Sequence, residues 1–167
     1  MSEDDYRNGG VLGVVVALVA LLIGGVLFVG VVSGWFDDPK VKLDAEYYCK
    51  ETCGEFMEIN TFSYNELIAD KKSFVVFVDQ GGCTMADKLR KYGDDYMREA
   101  GIRIYRMMFA DVKESSLYES VKYYPSVAII LRGKVVAWLR ADSDDDAMVY
   151  NDYDQFKEWM AKYLQLE

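Results

Sequence analysis

SFVVFVDQGGCTMAD, residues 73–87, is the stretch on which the fold turns. Its first half is a continuous apolar, largely β-branched run, the pattern of a strand covered on both faces. Its second half breaks at Gly81-Gly82 and leads into KLRKYGDDYMREA. Met85, Leu89, Tyr92, Tyr96 and Met97 fall near one side of a helix over 85–100, which Gly101 closes. Cys83 therefore stands at a strand-to-helix junction. A sulfur at a helix N-terminus faces unpaired N–H groups and the positive end of the helix dipole, both of which favour a thiolate. Gly81 and Gly82 let the backbone of a partner come close. The competing reading is a small packed cysteine with no chemistry.

Outward from this stretch the elements alternate. Residues 56–59 read as a short strand, and Ser63 with Glu66 three residues later fits a capping box opening a helix. Residues 102–108 suit a third strand and 116–122 a shorter helix. Strands at 126–131 and 135–139 are joined by Arg132-Gly133-Lys134, a hairpin signal. Phe156, Trp159, Met160, Tyr163 and Leu164 share one face of a final helix. The order βαβαβαββα implies an α/β domain with a mixed central sheet flanked by helices.

With a cysteine after the second strand and a proline before the hairpin, this order resembles the thioredoxin family over roughly 60–164. The carriers are TFSYNELIADKKSFVVFVDQGGCTMADKL, YYPSVAIILRGKVVAWL and YDQFKEWMAKYL. The family's Cys-x-x-Cys frame falls on Cys83-Thr84-Met85-Ala86. The resemblance implies a cis Tyr124-Pro125 bond and a groove, formed by Gly81, Gly82, Thr84, Tyr124 and Pro125, that takes an extended client. It also exposes departures. Ala86 replaces the resolving cysteine, Gly82 the aromatic residue before the first cysteine, and Phe77 the buried acid, with Asp79 on a different phase of the strand. The dithiol and the proton relay of the family are both missing here.

The chain is not all one globule. No charged residue occurs from Asn8 to Phe36, and the core VLGVVVALVALLIGGVLFVGVV exceeds the roughly 20 apolar residues that span a bilayer as a helix. It is too long for a signal-peptide core, and Trp35-Phe36 suit the membrane interface. The expected organisation is a tail (1–8), a transmembrane helix (9–36), a polar juxtamembrane connector (37–55) with a helical turn over 47–52, and a thioredoxin-like domain (56–167). The positive-inside count, Arg7 against Lys40 and Lys42, is nearly balanced and leans slightly toward an inside C-terminus. A short acidic tail ahead of one span and a domain matches an uncleaved signal anchor with its domain extracytoplasmic.

The net charge is −9, of which the tail carries −2 and the rest of the chain −7. That balance argues against nucleic acid and anionic lipid as partners of the domain, leaving protein clients or partner subunits. With no histidine, Ser-His-Asp and Cys-His catalysis are excluded. Three thiols without histidine fall short of a closed zinc set, so neither a metal nor another cofactor is expected. The stretch ADSDDDAMVYNDYD places Asp142, Asp144 and Asp146 at alternate positions, but Ala147 and Tyr153 occupy the glycine and glutamate positions of a calcium loop. A solvated loop is the better reading.

Cys49 and Cys53 admit three readings: a local disulfide, a working dithiol, or a resolving thiol for Cys83. In an oxidising compartment the local disulfide comes first, leaving Cys83 as the odd thiol. Two functions follow. One is a membrane-anchored protein that exchanges disulfides, or captures clients as mixed disulfides, through Cys83. The other is a redox-inactive thioredoxin-fold adaptor in a membrane assembly. Met107-Met108-Phe109 and Tyr123-Tyr124 lie nearest the active face that the resemblance implies.

Overall fold

The computed structural model describes residues 40–49 and 53–166. Strands β1 (Val41–Lys42), β2 (Met57–Ile59), β3 (Phe74–Asp79), β4 (Tyr105–Met108), β5 (Ser126–Leu131), β6 (Lys134–Trp138) and β7 (Leu164–Gln165) alternate with helices. The helices are α1 (Thr61–Ala69), α2 (Thr84–Ala100), α3 (Phe109–Val112), α4 (Leu117–Ser120), α5 (Asp144–Ala147) and α6 (Tyr153–Tyr163). The expected tail and transmembrane helix lie outside the described residues. Among those described, no helix is long and apolar enough to cross a membrane.

Five strands form one sheet in the order β2-β4-β3-β5-β6. β2, β4 and β3 run parallel, and β5 and β6 continue antiparallel from β3. β3 is the middle strand, and all six of its residues are buried. Because both faces are covered, its sequence shows no alternation. On one face Phe77 meets Phe56, while α2 and α6 pack through Tyr92, Tyr96 and Phe156. On the other, Phe74 sits among Tyr47, Tyr64 and Tyr105 with ring centroids 5.4–6.2 Å apart.

Two expectations change. Helix α1 starts earlier than the Ser63/Glu66 box implies: Asn60 is its N-cap and accepts the Ser63 N–H at 3.0 Å. Asn caps as well as Ser, and the first position ending the extended chain takes the role. The connector reading fails over residues 41–49. Val41, Leu43 and Tyr47 are buried in the core, and β1 pairs in parallel with β7. Asp44 exchanges backbone and carboxylate bonds with Ser73 at 3.1 and 3.0 Å. A 3-10 turn occupies Ala45–Tyr47, ahead of the helical turn expected over 47–52. Alternating apolar residues among charges, VKLDAEY, hid an edge that packs on one side only.

The β5–β6 loop is two residues, Arg132 and Gly133, with φ of +49° and +75°. Positive φ at both positions gives the twist a hairpin needs. At Gly133 a Cβ would stand 2.5 Å from the Ile68 carbonyl oxygen. Gly133→Ala is therefore expected to cost about 2 kcal/mol, read as a lower urea midpoint at unchanged m-value.

Candidate functional site

Cys83 is the N-cap of α2, in extended backbone. Its carbonyl accepts the Asp87 N–H at 3.1 Å. Its sulfur is a free, half-buried thiol that makes no capping hydrogen bond. The chain reaches it from β3 through exposed Gly81 and Gly82, with φ of +69° and +62°. A Cβ at Gly82 would meet nothing within 4 Å, and one at Gly81 only the Met108 methyl. The approach to the sulfur is thus open on the glycine side, with exposed Thr84 next to it.

Tyr124-Pro125 is cis, as the resemblance implies. Val78 pairs with Ser126, so the end of β3 that leads to Cys83 and the proline that precedes β5 lie at the same end of the sheet. Pro125 is buried and Tyr124 half-buried. The proline carbonyl accepts from the Tyr150 hydroxyl at 3.0 Å, and the same hydroxyl lies 3.1 Å from the Leu139 carbonyl. Tyr124 sets its ring against Phe109, centroids 4.4 Å apart and planes tilted by 48°, and its hydroxyl donates to the Val121 carbonyl. Burial, then Tyr118, push its hydroxyl up to about 12, so it remains a donor.

Asp79 ends β3 with a side chain removed from solvent. Sheet register puts Glu58, Arg106 and Phe77 side by side, and Asp79, two residues past Phe77, lies on that same face, which corrects the expectation that it sits on a different phase of the strand. Arg106 binds the Asp79 carboxylate through Nε at 2.8 Å and Nη2 at 2.6 Å, and Glu58 through Nη1 at 2.7 Å. Arg90 of α2 reaches Asp79 at 3.3 Å and Asp87 at 2.5 Å. The Gly81 N–H donates to Asp79 at 2.8 Å. Burial alone would raise this acid, but the Gly81 N–H, Arg106 and Arg90 together hold it below the usual carboxylate range. It is a buried acid held as a carboxylate by its ion pairs.

Cys49 and Cys53 form a disulfide. The Cys49 N–H donates to the Gly101 carbonyl at 2.8 Å, and Gly101 is the C-cap of the helix whose N-cap is Cys83. Seventeen helical residues at 1.5 Å each put about 25 Å between the two ends. A resolving role for Cys49 or Cys53 toward Cys83 within one domain is thereby ruled out. Ala86, the position to which the resemblance assigns the family's resolving cysteine, is buried. The acids of the 141–154 stretch serve locally: Asp146 accepts the Arg140 N–H at 2.8 Å, and Asp152 caps α6.

No protein-family model matches the chain, and no curated protein does. Among solved structures, the oxidised thioredoxin of Plasmodium falciparum matches with a TM-score of 0.50 at 13% identity, over 66% of this chain and all of that one. A mutant thioredoxin of Halobacterium salinarum NRC-1 gives 0.49 at 14%, over 71% and 98%. Thioredoxin F of spinach chloroplast gives 0.47 at 18%, over 65% and 85%. The fold is thioredoxin-like. At such identities the likeness carries the fold and nothing of the chemistry, which rests on the residues above.

Sequence reasoning missed Arg90, Arg106 and Tyr150. The signal for the arginines was present in FVVFVD: a carboxylate closing a fully buried strand requires partners. IYRMM, with one arginine among apolar strand residues, held the complement. Nothing in the sequence marks Tyr150 as the residue that holds the proline carbonyl.

Proposed function

We propose that this chain is a membrane-tethered, thioredoxin-like thiol protein that captures extended client segments as mixed disulfides through Cys83, on the extracytoplasmic side. The observation that carries the reading is the environment of Cys83: a free, half-buried sulfur at the N-terminus of a 17-residue helix, without an intramolecular capping bond, reached across two exposed glycines. The uncharged 29-residue run from Asn8 to Phe36 supports the tether. The Cys49–Cys53 disulfide supports an oxidising compartment. Capture transfers the client's disulfide: the Cys83 thiolate bonds to one client sulfur, and the other client sulfur leaves as a thiolate. With Ala86 beside it and Asp79 held by arginines, the domain has neither an internal thiol to reverse the bond nor a free carboxylate to move its proton. Release then requires a thiol from a second molecule.

Incubating the detergent-solubilised full chain with an unfolded peptide bearing an activated disulfide is expected to yield a lasting adduct at Cys83, and none with Cys83→Ser. A wild-type Cys83 that forms no adduct while the peptide is still retained noncovalently would return the adaptor reading.

A further inference from the structure

The far end of α2 holds the second sulfur-bearing feature of the domain. A solvent-open cavity of about 650 Å³ adjoins the Cys49–Cys53 disulfide and is lined by Cys53, Glu55, Phe56, Met57, Arg98 and Arg103. Its volume falls in the range that small ligands occupy. Phe56 is seated by Gly93 of α2, where a Cβ would come 2.7 Å from the ring. Gly54, at φ +147°, brings backbone against the Arg98 side chain, 3.1 Å from Cγ and 3.2 Å from Nη1 at the position of a Cβ. Arg98 pairs with Asp95 at 2.5 Å. Arg103 is exposed and makes no ion pair with a described acid.

A purely mechanical role explains little of this. The segment before the disulfide is already fixed by backbone bonds: Cys49 N–H to Gly101, Arg103 N–H to Tyr47 at 2.7 Å, and the β1–β7 pairing. A cross-link between cysteines four apart restrains only a small loop of the unfolded chain, and the stabilisation from a disulfide grows with loop length. The lining instead has a chemical pattern. Two arginines, one glutamate and two apolar residues line the cavity together with a cysteine of the disulfide.

We propose that Cys49–Cys53 is a second thiol-exchange site, opened at Cys53 by a small aminothiol carboxylate seated in this cavity. Arg103 and Arg98 take the carboxylates, Glu55 takes the ammonium, and Phe56 and Met57 cover the methylenes. The incoming thiolate sulfur bonds to Cys53 Sγ as the Cys49–Cys53 bond breaks, and the electron pair leaves on Cys49, which takes a proton from solvent. A second thiolate then attacks the small molecule's sulfur, releasing the oxidised small disulfide and the Cys53 thiolate. Two thiols are oxidised and one protein disulfide reduced. This site is independent of Cys83, about 25 Å away along α2.

The test uses the full chain in detergent, carrying Cys83→Ser so that every adduct reports on the pair. Glutathione is compared with uncharged 2-mercaptoethanol, each rate normalised to its reaction with a linear disulfide in solution. Adducts are counted by quenched alkylation and mass spectrometry. Glutathione is expected to be favoured at least tenfold, with the adduct on Cys53. Arg103→Gln should bring the preference within about threefold of unity without moving the urea midpoint. Equal normalised rates, a preference untouched by Arg103→Gln, adducts confined to Cys49, or a pair inert to both thiols would each overturn the proposal.

Discussion

Asp79→Ala is expected to lower the unfolding free energy by about 3 kcal/mol, the lower edge of the range for breaking a buried ion pair by removing one partner. The carboxylate is fully buried and takes the Gly81 N–H and two arginines, so its loss leaves cationic groups facing the end of β3. The lower edge applies because Arg90 and Arg106 are partly exposed and keep Asp87 and Glu58 as partners. Asp79→Asn retains the shape and an acceptor, and should cost about 2 kcal/mol, the scale of a hydrogen bond to a charged group. Urea unfolding of the full chain, with the m-value unchanged, reads both. The pH dependence has a definite sign. The folded-state pKa of Asp79 is lowered, so its contribution is fully present above the unfolded carboxylate value of about 3.9 and is lost as pH falls through the folded value. Wild type should therefore lose stability more steeply than Asp79→Asn below about pH 4, the two curves converging in acid. A difference that stays constant down to pH 2 would mean the ion pairs contribute nothing.

How much of this was legible depends on whether a residue's role is set by its neighbours in sequence or by partners brought from afar. The middle strand, the helix after it and the hairpin were readable because their signals are local. An unbroken apolar run marks a strand covered on both faces, and Arg132-Gly133 supplies the two left-handed residues of a tight loop. The station of Cys83 followed from the same local grammar, as the last extended residue before a periodic helix. The arginine lock on Asp79 was not readable in the same way. Its members come from β2, β4, the end of β3 and α2, and only parallel register sets Glu58 and Arg106 beside that strand end. The separation of the two sulfur sites was hidden for a related reason. Cys49 and Cys83 are 34 residues apart, a spacing that says nothing until the Gly101 carbonyl fixes Cys49 at the opposite end of α2. The misread connector belongs here too, since Val41 and Leu43 become core residues only when β7 arrives beside them.

The largest kinetic effect is expected from Ala86→Cys. Cys83 is the N-cap of α2 and Ala86 its third residue, the pair of positions whose side chains and backbone meet across the first turn of a capped helix. A thiol at 86 would therefore lie next to any mixed disulfide formed at 83. Its thiolate would bond to Cys83 Sγ, the client would depart as a thiolate, and a disulfide between Cys83 and the introduced sulfur would remain. Intramolecular placement of this kind supplies effective molarities far above those of free thiols in solution. The lifetime of the client adduct should accordingly fall at least about 100-fold, a figure well below the full range open to oriented groups. Ala86 is buried, so the added sulfur should also cost about 1 kcal/mol in overpacking. Ala86→Ser, close to cysteine in size but without a thiol, separates that cost from the chemistry. Adduct decay followed by quenched mass spectrometry should be fast for Ala86→Cys and as slow as wild type for Ala86→Ser. Equal lifetimes in all three proteins would mean that release is already supplied by another route, and that the alanine at this position is not what makes Cys83 a trap.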